Sequence, residues 1–207
     1  MPRPNYPHAQ PTQTIGDTRF VAIDFEAAGA AKGMTDAPVQ VGVATMVNGV
    51  IERESFFRSY IKPSHEVAWT ARRIHGIGPD TVDASPSFGE LWPQLKQQLT
   101  GAVMVAHGAP TEKRYLRLFP GHGFGPWVDT LWVARKVLPE AENHRLGGLV
   151  DLLGLGGQLA DFCPNLEWHD ALYDAVASLV ILKAIIDGAN LAEKPLGWIC
   201  PEIPIPG

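Results

Sequence analysis

The chain is poor in cysteine and has no long apolar run. Its two cysteines, Cys163 and Cys200, lie far apart in a chain of 207 residues and lack metal-ligand spacing. This excludes a disulfide framework and is typical of a reducing compartment, so we expect a cytoplasmic protein. Because no apolar segment is long enough to span a bilayer and the N-terminus has no signal-peptide pattern, we expect no membrane association.

The chain also has no excess of positive charge. Its 17 Lys and Arg residues are outnumbered by 22 Asp and Glu residues, and the net charge is −5. This argues against a surface that coats nucleic acid broadly, but it is compatible with a local basic groove beside a metal site. Apolar residues make up 45% of the chain, enough to form the core of one substantial α/β domain.

Composition divides the chain into three parts. Residues 1–17 are rich in Pro, Gln and Thr and are expected to form a flexible N-terminal tail. Residues 18–188 carry the apolar patterns of a folded domain. Residues 189–207 are Pro-rich and are expected to drape over that domain as an extended C-terminal segment.

The apolar pattern predicts three strands followed by alternating helices and strands. Asn48-Gly49 is a strong hairpin signal between the second and third strands, which are expected to be antiparallel neighbours. The order of elements predicts a mixed sheet with helices on both sides. The predicted strands are residues 19–25, 37–47, 50–62, 102–106 and 127–129, and the predicted helices include residues 70–74, 88–99, 146–153 and 168–186, one helix that begins near residue 109 and one that ends near residue 137.

Two carboxylates end the first predicted strand. Residues 20–26 read Phe-Val-Ala-Ile-Asp-Phe-Glu, and alternation along a strand places Asp24 and Glu26 on one face. The apolar residues around them indicate a strand that is covered on both sides. Adjacent carboxylates repel each other there unless a cation lies between them, and hard divalent cations take oxygen ligands. The alternative is an acidic strand end that faces water, and this segment alone favours neither interpretation.

Two further carboxylates lie on predicted helices that have apolar faces. Asp174 falls on the apolar stripe of the last helix, and His169 lies on the lead-in to that helix. Glu112 lies in the first turn of the helix that begins near residue 109. Structural alternatives remain open, because the helix dipole favours an acidic residue in a first turn and a histidine can cap a helix or fill a core.

In order and spacing, these residues resemble the three motifs of the DEDDh 3′–5′ exonucleases. The matching segments are residues 24–29 (Asp-Phe-Glu-Ala-Ala-Gly), 107–112 (His-Gly-Ala-Pro-Thr-Glu) and 169–174 (His-Asp-Ala-Leu-Tyr-Asp). The family includes the proofreading epsilon subunit of bacterial replicase, ribonuclease T and oligoribonuclease. The resemblance covers residues 19–187 and implies an α/β fold of the RNase H-like superfamily, with a mixed five-stranded sheet flanked by helices on both sides.

The second and first motifs depart from the family pattern. Glu112 stands where the family usually has Asp, and its side chain reaches about one carbon–carbon bond (~1.5 Å) further. Gly108 and Thr111 replace the usual Asn and Phe beside it, and Ala27-Ala28 replace a frequent Thr-Thr pair that helps to hold the terminal nucleotide. These departures motivate the alternative of a catalytically weakened nucleic-acid-binding module.

The resemblance implies a mechanism with two Mg²⁺ or Mn²⁺ ions. In this mechanism Asp24 is shared by both ions, and His169 is the general base that takes a proton from the attacking water. The product would be a nucleoside 5′-monophosphate released from a 3′ end. The implied metal ligands are Asp24, Glu26, Glu112 and Asp174, and these four residues with His169 are the implied catalytic set.

The implied partners are 3′ ends of single-stranded or frayed DNA or RNA, because a strand end must be drawn into a pocket. For the basic residues of this region, a solvated helix face is the plainer interpretation. The candidate contacts to the terminal nucleotide are Phe25, Ala27, Ala28, Gly29, His75, Ile77 and His107. The candidate contacts to upstream phosphates are Arg72, Arg73, Lys113, Arg114 and Arg117. A proofreading subunit that associates with a polymerase and a homodimer also remain open.

Overall fold

The computed structural model describes residues 6–30 and 36–205, and five strands in these residues form one mixed sheet. The sheet order is β3-β2-β1-β4-β5, in which β1–β2 and β2–β3 are antiparallel while β1–β4 and β4–β5 are parallel. This confirms the predicted fold class. The strands are β1 (Phe20–Ala27), β2 (Pro38–Val47), β3 (Val50–Tyr60), β4 (Val103–Ala106) and β5 (Trp127–Asp129).

Helices cover both faces of the sheet. The central strand β1 divides its apolar side chains between them: Val21 and Ile23 pack toward α3 and α4, whereas Phe20 and Ala22 pack toward α8. In the described part of the chain, no helix is long and apolar enough to cross a membrane. The helices are α1 (Trp69–His75), α2 (Pro79–Val82), α3 (Phe88–Leu99), α4 (Pro110–Leu116), α5 (Thr130–Val137), α6 (Leu146–Leu152), α7 (Gly156–Phe162) and α8 (Ala171–Gly188), followed by a 3₁₀ turn at Leu196–Trp198.

The hairpin between β2 and β3 forms where the sequence predicts it. Asn48 and Gly49 have φ angles of 49° and 73°, so both central residues lie in the left-handed region. Two positive φ angles define the type I′ turn, whose twist matches that of the flanking strands. Asn and Gly are the residues that adopt this backbone at least cost.

Three helices differ from the prediction, and one of them, α2, is a short turn of four residues that the predicted helices do not include. α8 begins at Ala171 and not at Trp168, because His169 has a left-handed φ of 68° and Asp170 caps the helix by accepting a hydrogen bond from the N–H of Leu172. α7 is absent from the prediction, because this short helix begins with two glycines and buries a single residue, Leu159.

The described part of the N-terminal segment packs against the C-terminal segment, although the sequence predicts a flexible tail. Ile15 is buried and donates its N–H to the carbonyl of Lys194 (2.9 Å), and Gly16 donates to Ala192 (2.8 Å). Apolar side chains such as Ile15 explain this packing, since their burial is favourable. Residues 1–5 and 206–207 of these two segments lie outside the described residues, and the domain boundaries at 18 and 188 stay a prediction.

The first turn of α8 rests directly on β2. A Cβ atom at Gly42 would overlap the backbone of Ala171 and Leu172. Two residues earlier on the same strand, the amide of buried Gln40 accepts a hydrogen bond from the N–H of Ala171 (2.8 Å) and donates one to Asp170 (3.0 Å). Glycine is therefore required at position 42 for α8 to lie this close to the sheet.

We expect Gly42→Ala to lower the free energy of unfolding by about 1–3 kcal/mol or more, because α8 must move off the sheet to make room. Chemical denaturation of the variant measures this loss. Gly157→Ala in α7 is the matched control, since a Cβ there meets nothing within 4 Å and alanine favours a helix. Equal stability of the two variants would contradict the close contact between α8 and β2.

Candidate active site

Asp24 and Glu26 lie at the C-terminal end of β1, on the face that α8 covers. Both are partly buried, and β1 lies between β2 and β4, so neither is at a sheet edge. The parallel pairing of β1 with β4 ends at Ala22. The two carboxylates therefore extend past the end of β4, where the chain leaves the sheet and turns into α4.

Glu112 is buried in the first turn of α4. The residue is 4% exposed, and its Oε2 atom has no hydrogen-bond partner among the described residues. Burial raises the pKa of Glu112 to about 7, and the nearby charge of Asp129 adds to this effect. An acidic residue that only serves the helix dipole would remain in water, so its burial indicates a further role for Glu112.

The turn before α4 is fixed by Asp129 at the end of β5. Its two carboxylate oxygens accept hydrogen bonds from the N–H groups of Gly108 (3.0 Å) and Ala109 (3.2 Å). The same carboxylate caps α5 through the N–H of Leu131 (3.0 Å). Asp129 thus ties the segment that carries Glu112 to the sheet.

The lead-in to α8 brings His169 next to two carboxylates. Glu26, His169 and Asp174 each offer one ligand atom, and these three atoms lie within 4.8 Å of one another. Asp170, between them in the chain, accepts hydrogen bonds from Arg58 (2.7 Å) and Gln40 (3.0 Å). These bonds hold the first turn of α8, and with it Asp174, over the end of β1.

Burial and mutual repulsion raise the pKa values of these carboxyl groups. The pKa of Asp24 lies well above its usual range because of burial and then because of the charges of Asp174, Glu112 and Glu26. Burial, followed by the charges of Asp174 and Asp170, raises the pKa of Glu26 to about 8. Burial also raises the pKa of Asp174 to about 7. The carboxylates at 26, 112 and 174 are therefore close enough to Asp24 for their charges to oppose its ionisation.

This arrangement suits a divalent cation. The Oε2 atom of Glu112 and the Oδ1 atom of Asp174 are buried and lack hydrogen-bond partners in the described ranges. Orphaned carboxylate oxygens of this kind are satisfied by a hard cation, which prefers oxygen ligands and offsets their repulsion. The residues present therefore fit a Mg²⁺ or Mn²⁺ site.

Helix α1 supports the segment that follows Glu26. The Nε2–H of His75 donates to the carbonyl of Ala27 (3.0 Å), and its Nδ1 accepts from the N–H of Ile77 (3.0 Å). Burial lowers the pKa of His75, which is consistent with a neutral ring. At the other end of α1, the N–H of Ala68 donates to the carbonyl of Ala28 (2.7 Å). The predicted nucleotide contacts at 27–29, 75 and 77 thus lie together beside the carboxylates.

The ring of Phe25 lies in the core and not at the predicted contact with the terminal nucleotide. Its ring packs against those of Phe88 and Tyr115, with centroid distances of 5.5 and 5.3 Å, and only 6% of the residue is exposed. Alternation along β1 turns this ring away from Asp24 and into the core between the sheet and α3. The ring of Phe25 therefore stabilises the strand and does not face a nucleotide.

His107 is also occupied by contacts within the protein. Its Nε2–H donates to the carbonyl of His144 (2.9 Å), and its Nδ1 lies 2.9 Å from the hydroxyl of Thr130. Both ring nitrogens are thus used in joining β4 to the start of α5 and to the segment before α6. This geometry favours a structural role, and the predicted contact with substrate stays a prediction.

Sequence reasoning assigned no role at the site to three residues that position it: Asp129, Asp170 and Gln40. The first two act as helix caps, and the acidic residue before each helix is the signal that would have identified them. Gln40 is 1% exposed in an otherwise apolar strand. A lone polar residue in such a strand needs a partner, and this requirement could have identified it.

The chain has relatives among known proteins. The model of the exonuclease family (RNase T) matches residues 21–182. The DNA polymerase III PolC-type of Thermotoga maritima is 32% identical over 178 residues, which are 83% of this chain and 12% of that protein. A DNA polymerase III subunit epsilon-like protein of Rhodobacter capsulatus is 31% identical over 163 residues, 77% of this chain and 22% of that protein. The chain therefore spans less than a quarter of the length of these relatives.

Two solved structures share the fold. Exonuclease X in complex with 5′ overhanging duplex DNA superposes with a TM-score of 0.70 at 23% identity, covering 89% of this chain and 96% of that one. The nuclease domain of 3′hExo, a DEDDh family member bound to rAMP, superposes with a TM-score of 0.66 at 16% identity, covering 87% and 96%. Because the family match extends over the sheet, the carboxylates and most of α8, the chain belongs to the DEDDh family of 3′–5′ exonucleases.

Proposed function

We propose that the protein is a divalent-metal-dependent 3′–5′ exonuclease that releases nucleoside 5′-monophosphates from single-stranded nucleic acid. The convergence of four carboxylates from β1, α4 and α8, with His169 beside them, carries this proposal. Such a cluster destabilises a fold unless it binds cations. Family membership supports phosphodiester hydrolysis as the use of those cations.

Asp24, Glu26, Glu112 and Asp174 are the residues that would hold two Mg²⁺ or Mn²⁺ ions. When bound, such ions lower the pKa of water and offset the negative charge that grows on a phosphate under attack. The orphaned oxygens of Glu112 and Asp174 supply a direct reason to include both residues. Glu112 belongs in this set even though its side chain is longer than the usual Asp.

We assign the role of general base to His169. It lies at the mouth of the site, exposed to solvent, with a ring nitrogen within 4.8 Å of carboxylate oxygens of Glu26 and Asp174. A proton taken from the attacking water can pass from this exposed ring to solvent. General-base catalysis is typically worth about 10²–10⁴-fold in rate.

The packing around residues 27–29 supports attack at a strand end. The N–H of Ala28 donates to the carbonyl of Ala37 (2.8 Å), and its carbonyl accepts from Ala68 (2.7 Å). Gly29 lies so close to α1 that a Cβ there would be 3.0 Å from that of Ala68. Among the described residues, this packing holds the segment after Glu26 against α1 beside the carboxylates, which favours a substrate that enters by its end.

The polymerase relatives favour a second candidate, an exonuclease unit that works only beside a polymerase. The names of both bacterial relatives are those of DNA polymerase III proteins, and this chain matches only a part of each. The two candidates differ in one observable property, the activity of the isolated chain. Full turnover without a polymerase favours the free-standing enzyme.

A 5′-labelled single strand tests the activity and its direction. With Mg²⁺ or Mn²⁺ we expect a descending ladder of labelled products from the isolated protein, resolved by length on a gel. Excess chelator should abolish it, because the carboxylates then lack their cations, and a circular single strand should survive. Asp24→Asn should remove the activity, whereas Glu54→Gln on the exposed part of β3 should not.

Three results would contradict this assignment: cutting of the circle, immediate release of the labelled mononucleotide, or cleavage in excess chelator. Cleavage that begins only when a polymerase is added would favour the second candidate. Matched DNA and RNA oligomers in the same assay identify the preferred nucleic acid.

Metal binding should appear as a pH-dependent stabilisation. Because the pKa values of these carboxyl groups are raised in the native state, they contribute to stability, and this contribution is fully present below about pH 4. It is lost as pH rises through about 7 for Asp174 and Glu112 and about 8 for Glu26. In chelator we therefore expect a lower Tm at pH 8.5 than at pH 5.5. Mn²⁺ should raise Tm more at pH 8.5, because protons compete with the metal.

The control for this measurement is Glu26→Gln, which should show a weaker pH dependence in chelator and a smaller shift with Mn²⁺. Scanning calorimetry or fluorescence gives Tm in each buffer. An equal shift with Mn²⁺ in the variant and the parent would count against a metal site at the end of β1.

Substitutions at Glu112 test whether this residue is a metal ligand or only stabilises its helix. We expect Glu112→Ala to lower kcat on the order of 10²-fold or more, because several kcal/mol of charge stabilisation depend on the metals. Glu112→Asp should keep part of the activity and require more metal, since it retains the charge with a shorter reach. Glu140→Ala, at an exposed carboxylate, is the control. Parental turnover by Glu112→Ala at low metal concentration would show that Glu112 is only a first-turn helix residue.

A further inference from the structure

Helix α1 presents an aromatic and basic surface to solvent. None of its seven residues is buried, and Trp69 is 68% exposed. The helix carries Arg72 and Arg73 but no acidic residue. In a chain with a net charge of −5, this local excess of positive charge is suited to a phosphate-bearing partner.

Trp69 and Arg73 form one unit on this surface. They are four residues apart and therefore share a face of the helix, and the guanidinium carbon of Arg73 lies 4.8 Å from the centroid of the Trp69 ring. The guanidinium covers one face of the indole and limits its rotation. The high exposure of Trp69 leaves the rest of the ring open for a second planar group.

A groove connects this unit to the candidate active site. It has a volume of about 360 Å³ and lies between the C-terminal half of α1 and residues 165–170, with Arg73 on one wall and Trp168 and His169 on the other. His169 also lies beside Glu26. The groove therefore joins His169 to Arg73, and Trp69, which does not line the groove, lies beside Arg73.

The position of α1 relative to the carboxylates is fixed. Its two ends are hydrogen-bonded to consecutive residues after Glu26, through Ala68 to Ala28 (2.7 Å) and through His75 to Ala27 (3.0 Å). A group that rests on Trp69 is thus held at a constant separation from the site of cleavage.

We propose that Trp69 stacks on a base of the bound strand, upstream of the two nucleotides that flank the cleaved bond, while Arg73 contacts a phosphate of the same strand. The occupant is single-stranded, because aromatic residues stack on bases whose faces are free and a basic neighbour attracts the backbone. This inference rests on the proposed exonuclease function, and it assigns to α1 the recognition of longer strands over very short ones.

A comparison of a dinucleotide with a longer single-stranded oligomer tests the assignment. Trp69→Ala should raise KM for the oligomer about 5- to 100-fold, the size of one lost base–aromatic stack, with little change in kcat. The preference for the oligomer over the dinucleotide, measured as a ratio of kcat/KM values, should fall by the same factor. Trp69→Phe should restore most of the preference, because it keeps an aromatic face.

Trp132→Ala is the matched control. Trp132 is 40% exposed on α5 and has Lys136 over its ring at 5.2 Å, but Lys136, unlike Arg73, does not line the groove. Its substitution should leave both substrates unaffected. An oligomer KM for Trp69→Ala that equals the parental value would overturn the stacking role, and an equal rise in KM for the dinucleotide would overturn the upstream position. A parent that degrades neither substrate, even when a polymerase is added, would instead refute the exonuclease function.

Discussion

Repulsion among carboxylates at the end of β1 is the constraint on which the rest of the structure depends. Asp24, Glu112 and Asp174 come from a strand and two helices, and the charges of Asp174 and Glu112 raise the cost of ionising Asp24. Such groups separate unless the scaffold holds them or a cation neutralises them. The central position of β1 and the packing of α8 supply the scaffold that holds these groups together. The orphaned oxygens indicate that a cation neutralises them.

In the described part of the chain, no basic side chain forms an ion pair with these carboxylates. Among the described residues, the ion pairs join Arg58 to Asp170, Lys113 to Glu202, Arg114 to Asp36 and Lys183 to Asp187, and none includes a carboxylate at 24, 26, 112 or 174. Arg58 supports the site indirectly, because it pairs with Asp170 at the start of α8. An internal ion pair would have filled the coordination positions that a metal needs, so this arrangement preserves them for an external cation.

Local sequence patterns determine much of this architecture and less of its detail. Alternation along β1 and the apolar run of α8 predict the elements that carry Asp24, Glu26 and Asp174, and the structure places these residues together. The start of α8 is less predictable, because a left-handed His169 leaves no trace in apolar periodicity. The contact at Gly42 joins residues about 130 positions apart in the chain. Tertiary contacts of this kind are set by packing and not by local propensity, which also explains why the ring of Phe25 is in the core.

The contact between the two terminal segments bears on how such a unit is built into larger proteins. Gly16 is hydrogen-bonded to Ala192, so the points at which the chain enters and leaves the domain lie side by side. They are near Phe20, at the end of β1 opposite to Glu26. Adjacent entry and exit points allow a domain to be inserted as a cassette into a host chain through one narrow connection. Such a connection would lie at the end of β1 opposite to Glu26.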